Sequence, residues 1–307
     1  MLRPVLATLI VVGSSAAALA QGAPTPPVGP DYSKIQVKTT DLGHRTYMLE
    51  GAGGNVTVAI GEDAIIMVDG QFAPMHDKLK AAIAAVSPEP VKYLVNTHHH
   101  GDHTGGNAGF AKDGVTVVGN INERNLLAAG TTNNVSGIKV PPVPPEGLPK
   151  QTYDDKTTLK VKGVTARLTH PANAHTGGDT YVWFKNANVL STGDTFINTG
   201  RYPNIDWVNG GSIDGMIRAD TAYLRLADGK TKIVPGHGKL STKADVKAFR
   251  AMLIEARKRM AALIKAGKSE DEVYAAKPYA DFDAAWAGGN EQAAKNFIRV
   301  VYRSLKK

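Results

Sequence analysis

An α/β sandwich of four layers, two facing sheets with helices outside them, is what the patterning of this 307-residue chain predicts. Three observations carry that reading. Short apolar runs of β type alternate with helical ones as far as Gly238. Beyond Gly238 the apolar period lengthens from two to three-and-four. Four separate segments also share one layout: an apolar run, then small residues, then a residue type that binds metal. That layout predicts strand ends converging along one edge.

The elements follow in order. Arg3, the apolar run Val5 to Val12 and Ala18-Leu19-Ala20 have the layout of a cleavable leader. Residues 1–20 are therefore expected to be removed near Ala20-Gln21, leaving a periplasmic or secreted protein. The Pro- and Gly-rich stretch 21–34 reads as a flexible lead-in. A single catalytic domain is expected over 35–267 and a helical extension over 268–307. Gly54 to Ile60 and Ala64 to Asp69 read as strands around Gly61-Glu62-Asp63. Met75, Leu79, Ile83 and Val86 mark one face of a helix after Pro74. Val91 to Asn96 and Val115 to Gly119 read as strands, and Asn122 to Ala129 as a short helix. Thr131 to Lys150, rich in Asn, Pro and Gly, reads as a long surface loop. Leu159 to Leu168, Thr180 to Phe184 and Val189-Leu190 are further strands. Val246, Phe249, Leu253, Ala256, Met260 and Leu263 then form one helical stripe, opened by a Thr242/Asp245 capping box and stopped at Gly267. Ser269 with Glu272 opens a shorter helix, and Asn290 caps a last one.

Composition narrows the function. No cysteine is present, which excludes disulfides, thiolate ligands and a cysteine nucleophile. Beyond the leader, no segment approaches the length of a membrane span. The formal charge is +8, and loss of Arg3 lowers it to +7. The basic residues are spread along the chain, so the charge fits an anionic small-molecule substrate or an anionic surface as well as a polynucleotide, and nucleic acid is not the expected partner.

The densest chemistry lies in Thr97-His98-His99-His100-Gly101-Asp102-His103, directly after the apolar run Val91 to Val95. On an extended backbone His98 and His100 project from one face, and His99 from the other. Imidazoles beside a carboxylate at a strand end are the donor set of a zinc site. His175, Asp194 and His237 sit in the three similar settings, each among small residues that admit close backbone approach.

The ordered set His98-x-His100-x-Asp102-His103, then His175, Asp194 and His237, resembles the metallo-β-lactamase-fold hydrolases, over about Ile35 to Gly238. The resemblance implies an αββα sandwich and two zinc ions. It implies that His98, His100 and His175 hold the first metal, Asp102, His103 and His237 the second, and that Asp194 bridges them. Asp69, closing Ile65-Ile66-Met67-Val68-Asp69, would orient the motif loop without binding metal. His100 stands where iron-binding members carry Glu, which favours zinc. Asp194 stands where one β-lactamase subclass has Cys, and Ile197 where such enzymes have Lys. A β-lactam or lactone ring is the expected substrate, opened by a metal-bound hydroxide that Asp102, the candidate catalytic residue, helps to orient. A glyoxalase II-type thioesterase and a non-catalytic periplasmic zinc- or partner-binding protein are the alternatives. The loop Phe196 to Ser212 offers Asn198, Arg201, Tyr202 and Trp207 as candidate substrate contacts, with Arg201 suited to a carboxylate.

Overall fold

The inner strands Val56–Ile60 and Ile65–Val68 of the first sheet bury both of their faces. In Ile65-Ile66-Met67-Val68 the odd-numbered side chains join one apolar cluster and the even-numbered ones another. The reason is the two-residue period of an extended chain placed between two other layers. The computed structural model describes residues 30–306. The expected leader 1–20 and most of the lead-in therefore lie outside the described residues. From Tyr32 onward the chain forms one compact unit.

The strands, in chain order, are β1 (Lys38–Gly43), β2 (Thr46–Glu50), β3 (Val56–Ile60), β4 (Ile65–Val68), β5 (Val91–Val95), β6 (Thr116–Asn120), β7 (Thr131–Thr132), β8 (Lys139–Val140), β9 (Gln151–Tyr153), β10 (Lys156–Val161), β11 (Val164–Thr169), β12 (Tyr181–Phe184), β13 (Val189–Ser191) and β14 (Lys232–Val234). The helices are α1 (His76–Ala84), α2 (Gly101–Thr104), α3 (Asn107–Lys112), α4 (Ile121–Ala129), α5 (Ile213–Leu226), α6 (Lys243–Lys265), α7 (Glu270–Ala276), α8 (Ala280–Trp286) and α9 (Glu291–Leu305).

One sheet runs β1-β2-β3-β4-β5-β6-β9 and the other β10-β11-β12-β13-β14. The first four strands of the first sheet pair antiparallel, and β4-β5, β5-β6 and β6-β9 pair parallel. In the second sheet only β13-β14 is parallel. Between the sheets lie Met48, Ile66, Val68, Val95 and Val118 from one side, and Leu168, Val182, Phe184, Val189 and Val234 from the other. Leu79 and Ile83 of α1 and Phe110 of α3 cover the outer face of the first sheet. α5, α6 and α9 cover that of the second, through Met216, Tyr223, Phe249, Leu253, Phe297 and Val301. The order is helix, sheet, sheet, helix, the four-layer sandwich expected. Val273, Tyr279 and Phe297, which follow Gly267, share one core with α5 and α6.

Three segments differ from the sequence reading. β1 and β2 add an antiparallel edge before Gly51, although β1, Lys-Thr-Thr-Asp-Leu-Gly, is too polar to announce itself. α5 is a full helix that the apolar pattern does not reveal. Its buried face carries Gly215 and Asp220 among Ile213, Met216 and Tyr223, and these two residues interrupt the stripe. The long segment 131–150 contains the hairpin β7-β8 and a 3-10 turn at Pro145–Gly147.

Parallel pairing positions the functional residues. β4, β5, β13 and β14 end at the same edge of the sandwich. The residues just past those ends are Asp69, Thr97 to His103, Gly193-Asp194 and Gly236-His237. The carboxyl ends of parallel strands are where α/β sheets offer open crevices.

Candidate metal centre

His98, His100, His175 and Asp194 form one group whose donor atoms all lie within 4.8 Å of one another. Asp102, His103 and His237 form a second within the same limit. In the first, His100 Nδ1 is 3.1 Å from His98 Nε2 and 3.1 Å from His175 Nε2. In the second, His103 Nε2 is 3.2 Å from His237 Nε2, which is 3.1 Å from Asp102 Oδ2. Asp194 stands between the groups. Its Oδ2 is 3.8 Å from His175 Nε2, and its Oδ1 is 3.3 Å from His103 Nε2 and 3.4 Å from His237 Nε2.

The outward-facing ring nitrogens determine what points inward. Thr97 Oγ1 donates to Asp69 Oδ2 at 2.7 Å, so it accepts from His98 Nδ1 at 3.0 Å. His175 Nδ1 donates to the Asn204 carbonyl at 2.9 Å, and His103 Nδ1 to Asp69 Oδ2 at 2.7 Å. His100 is turned the other way: its Nε2 donates to Asp206 Oδ2 at 3.0 Å. His98, His100 and His175 therefore aim bare lone pairs at one another. Lone pairs about 3 Å apart form no hydrogen bond among themselves; a cation between them satisfies all three. This donor set fits zinc in both groups, three imidazoles with a carboxylate and two imidazoles with two carboxylates.

Electrostatics separate the two halves. Burial holds His98 well below the ordinary histidine range, with like charge on His103 and His175 adding to the effect. Burial also lowers His175 to about 4, against the upward pull of Asp194. Both are thus neutral ligand-type imidazoles at physiological pH. In the second group the Asp194 carboxylate raises His237 to about 10 despite burial. Asp102 is held down to about 2 because His103 and His237 outweigh its burial. Without metal, this half holds protons where an ion would sit. An ion entering it must displace the His237 proton, so affinity there rises with pH up to about 10. Chelator-competition titrations across roughly pH 6 to 9 should show up to about a tenfold gain per pH unit for each proton displaced. A flat profile would contradict the charge arrangement.

The site opens on one side. The side chains of His98, His103 and His175 are at most 1% exposed, whereas those of His100, Asp102 and His237 are 25–28% exposed. Glycines allow the close packing behind it. A Cβ on Gly236 would overlap Asp194 Oδ1, and one on Gly54 would overlap the His103 ring. Gly54 N also donates to the Asp102 carbonyl, so the Gly51–Gly54 turn packs against the motif.

The structure thus brings together all seven residues expected as ligands, and places Asp69 behind them. Asp69 accepts from Thr97 N at 2.7 Å as well as from Thr97 Oγ1 and His103. His99 is buried and within 3.6 Å of Asp206, and neither ring nitrogen has a hydrogen-bond partner among the described residues. The expected substrate contacts separate. Asn198 Nδ2 donates to Ser241 Oγ at 2.8 Å, and Asn198 N to the His237 carbonyl, which ties this loop to the ligand strand end. Arg201 is exposed, with its side chain beside Gly288. Tyr202 corrects the expectation: it is a core residue, stacked on Phe297 at 4.1 Å, with its hydroxyl on Asp283 at 2.9 Å. Trp207 likewise packs toward the C-terminal helices, its ring 5.3 Å from the Arg303 guanidinium carbon. Both are drawn inward because α8 and α9 cover the loop. Asn204 and Asp206, which the same loop also displays, are the residues that reach the candidate ligands. Their place on the polar loop that follows Asp194 was the available signal.

Comparison with known proteins shows the family and the fold. Residues 49–237 match the sequence family described as the metallo-beta-lactamase superfamily. The chain is 29% identical over 187 residues to a hydroxyacylglutathione hydrolase of Methylococcus capsulatus, which covers 56% of this chain and 63% of the relative. It is 25% identical over 271 residues to a beta-lactamase-like protein 2 homolog of Caenorhabditis elegans, covering 86% of this chain and 79% of that one. The fold is that of the metallo-beta-lactamase from Pontibacter korlensis, with a TM-score of 0.58 at 18% identity, over 71% of this chain and 99% of that chain.

Proposed function

The chain belongs to the metallo-beta-lactamase superfamily of hydrolases, and from that premise we propose that it is a zinc enzyme with two ions that hydrolyses an acyl bond, in a β-lactam or lactone ring. The observation that carries the reading is the position of Asp194, whose two oxygens face one ligand group each. His98, His100 and His175 would hold one ion, Asp102, His103 and His237 the other, with Asp194 shared. Bound zinc would polarise an acyl oxygen and lower the pKa of water toward neutrality.

The chain's own residues supply the rest. His100, Asp102 and His237 border the open side, so substrate approaches across them. Asp102 is ionised at neutral pH and accepts hydrogen bonds there. Asp69 and Thr97 keep His98 and His103 in single tautomers, so the ligand atoms are in place before substrate arrives.

A second reading, thioester hydrolysis, is favoured by the likeness to hydroxyacylglutathione hydrolases. One panel decides between them. Zinc-loaded and chelated protein is assayed on lactams, lactones, thioesters and phosphodiesters. The proposal expects turnover of a cyclic acyl substrate that is lost on chelation and restored by zinc. Turnover of thioesters alone would select the second reading. Turnover of phosphodiesters alone, or none under saturating zinc, would overturn both.

A further inference from the structure

The two ligand groups are held by different parts of the fold. His103 is oriented by Asp69, at the end of β4 in the middle of the first sheet. His100 and His175 are oriented by one loop, Asn204–Asn209, on the other side of the site. The Asn204 carbonyl accepts from His175 Nδ1, and Asp206 Oδ2 from His100 Nε2. Asp206 N donates in turn to the His175 carbonyl at 2.8 Å. Resting on the metal-site reading above, we infer that Asp206 is the positioning residue of the first metal site, fixing His100 with its Nδ1 lone pair toward the ion.

Three features support this. His100 is the exception in ring orientation, since it faces the cluster through Nδ1 where the other oriented ligands use Nε2. A partly exposed imidazole has no intrinsic reason to hold that tautomer, and a buried carboxylate on Nε2 supplies one. Asp206 is itself 1% exposed and is fixed by Asn209, whose Nδ2 donates to Oδ2 at 2.7 Å and whose N donates to Oδ1 at 3.3 Å. The loop is braced from outside as well. Asn134 Nδ2 donates to the Ile205 carbonyl at 2.8 Å and to Asn204 Oδ1 at 3.0 Å, and Asn209 Nδ2 donates to the Thr132 carbonyl at 2.9 Å. The hairpin Thr131–Val140 thereby buttresses the carboxylate that orients His100.

The test compares wild type with Asp206→Ala and Asp206→Asn by two readouts. The first is zinc affinity at each site, from competition with a chromophoric chelator. The second is the tautomer of His100 in ¹⁵N-histidine-labelled, metal-free protein. In wild type His100 should be protonated at Nε2. In Asp206→Ala it should become a mixture, and first-site affinity should fall about 10–100-fold while second-site affinity holds. Asp206→Asn keeps an acceptor oxygen for His100 and for Asn209, so it should fold and lose less affinity than the alanine variant. If Asp206→Ala does not fold, the asparagine variant decides: a reduced first-site affinity supports the assignment, and wild-type affinity overturns it. Equal losses at both sites, or an unchanged His100 tautomer with affinity within about twofold, would also overturn it. If wild type binds no zinc, the proposed function fails, and the tautomer readout still judges Asp206.

Discussion

Asp194→Ala is expected to remove zinc from both positions and to lower kcat/KM by roughly a thousandfold or more, about 4 kcal/mol of transition-state stabilisation. The size follows from its place between the groups. The other candidate ligands each belong to one group, whereas both Asp194 oxygens face donors, and Oδ1 is buried with no hydrogen-bond partner among the described residues. Its carboxyl is buried yet held far below the ordinary range by His237 and His103, so it is fully charged. Deleting it leaves His103 and His237 facing each other with only Asp102 to compensate. Metal analysis of purified, zinc-equilibrated protein checks the first half, and steady-state kinetics the second. Retention of one full equivalent of zinc would show that Asp194 does not serve both groups.

Gly215→Ala is the second large effect, on stability. Gly215 lies in the first turn of α5, where its N–H donates to the Ser212 side chain. A Cβ there would overlap the backbone carbonyl of Asn173 and crowd the Ala174 Cα. Backbone does not yield as a side-chain tip does, so the helix must lift from the segment that carries His175. Overpacking of this kind costs about 3 kcal/mol, or roughly 6–12 °C in Tm for a chain of this size. Gly229→Ala is the control, because nothing lies within 4 Å of a Cβ at that position. Thermal denaturation of the pair tests the claim. A Gly215→Ala variant melting within about 2 °C of wild type would refute it.

The convergence of the candidate ligands was legible because its information is local. Each candidate ligand stands a few residues past an apolar run, with small residues on at least one side, and that pattern survives without knowledge of the partner strand. The strands β3 to β6 and the long α6 were legible for the same reason, through uninterrupted periodicity. What failed depended on distant packing. Tyr202 and Trp207 read as loop aromatics free to meet a substrate, and only the fold brings Phe297, Asp283 and Arg303 over them. α5 was hidden by Gly215 and Asp220, each placed for reasons local pattern does not encode. Gly215 permits the contact with Asn173, and Asp220 is a buried carboxyl with no hydrogen-bond partner among the described residues, its pKa raised well above normal by burial. Asp206 reaches His100 across 106 residues of sequence.

That long-range construction bears on the order of events as the chain folds. His98 to His103 extend from the first sheet, and Asp194 and His237 from the second, so the donors meet only once the two sheets are docked. The entropy of closing such long segments is paid before any of these contacts forms. Where docking follows the rate-limiting step, an ion held between the sheets would be absent from the folding transition state and present in the native state. It would leave the refolding rate nearly unchanged and slow unfolding, acting as a clasp on the finished sandwich that confers kinetic persistence on an already assembled fold.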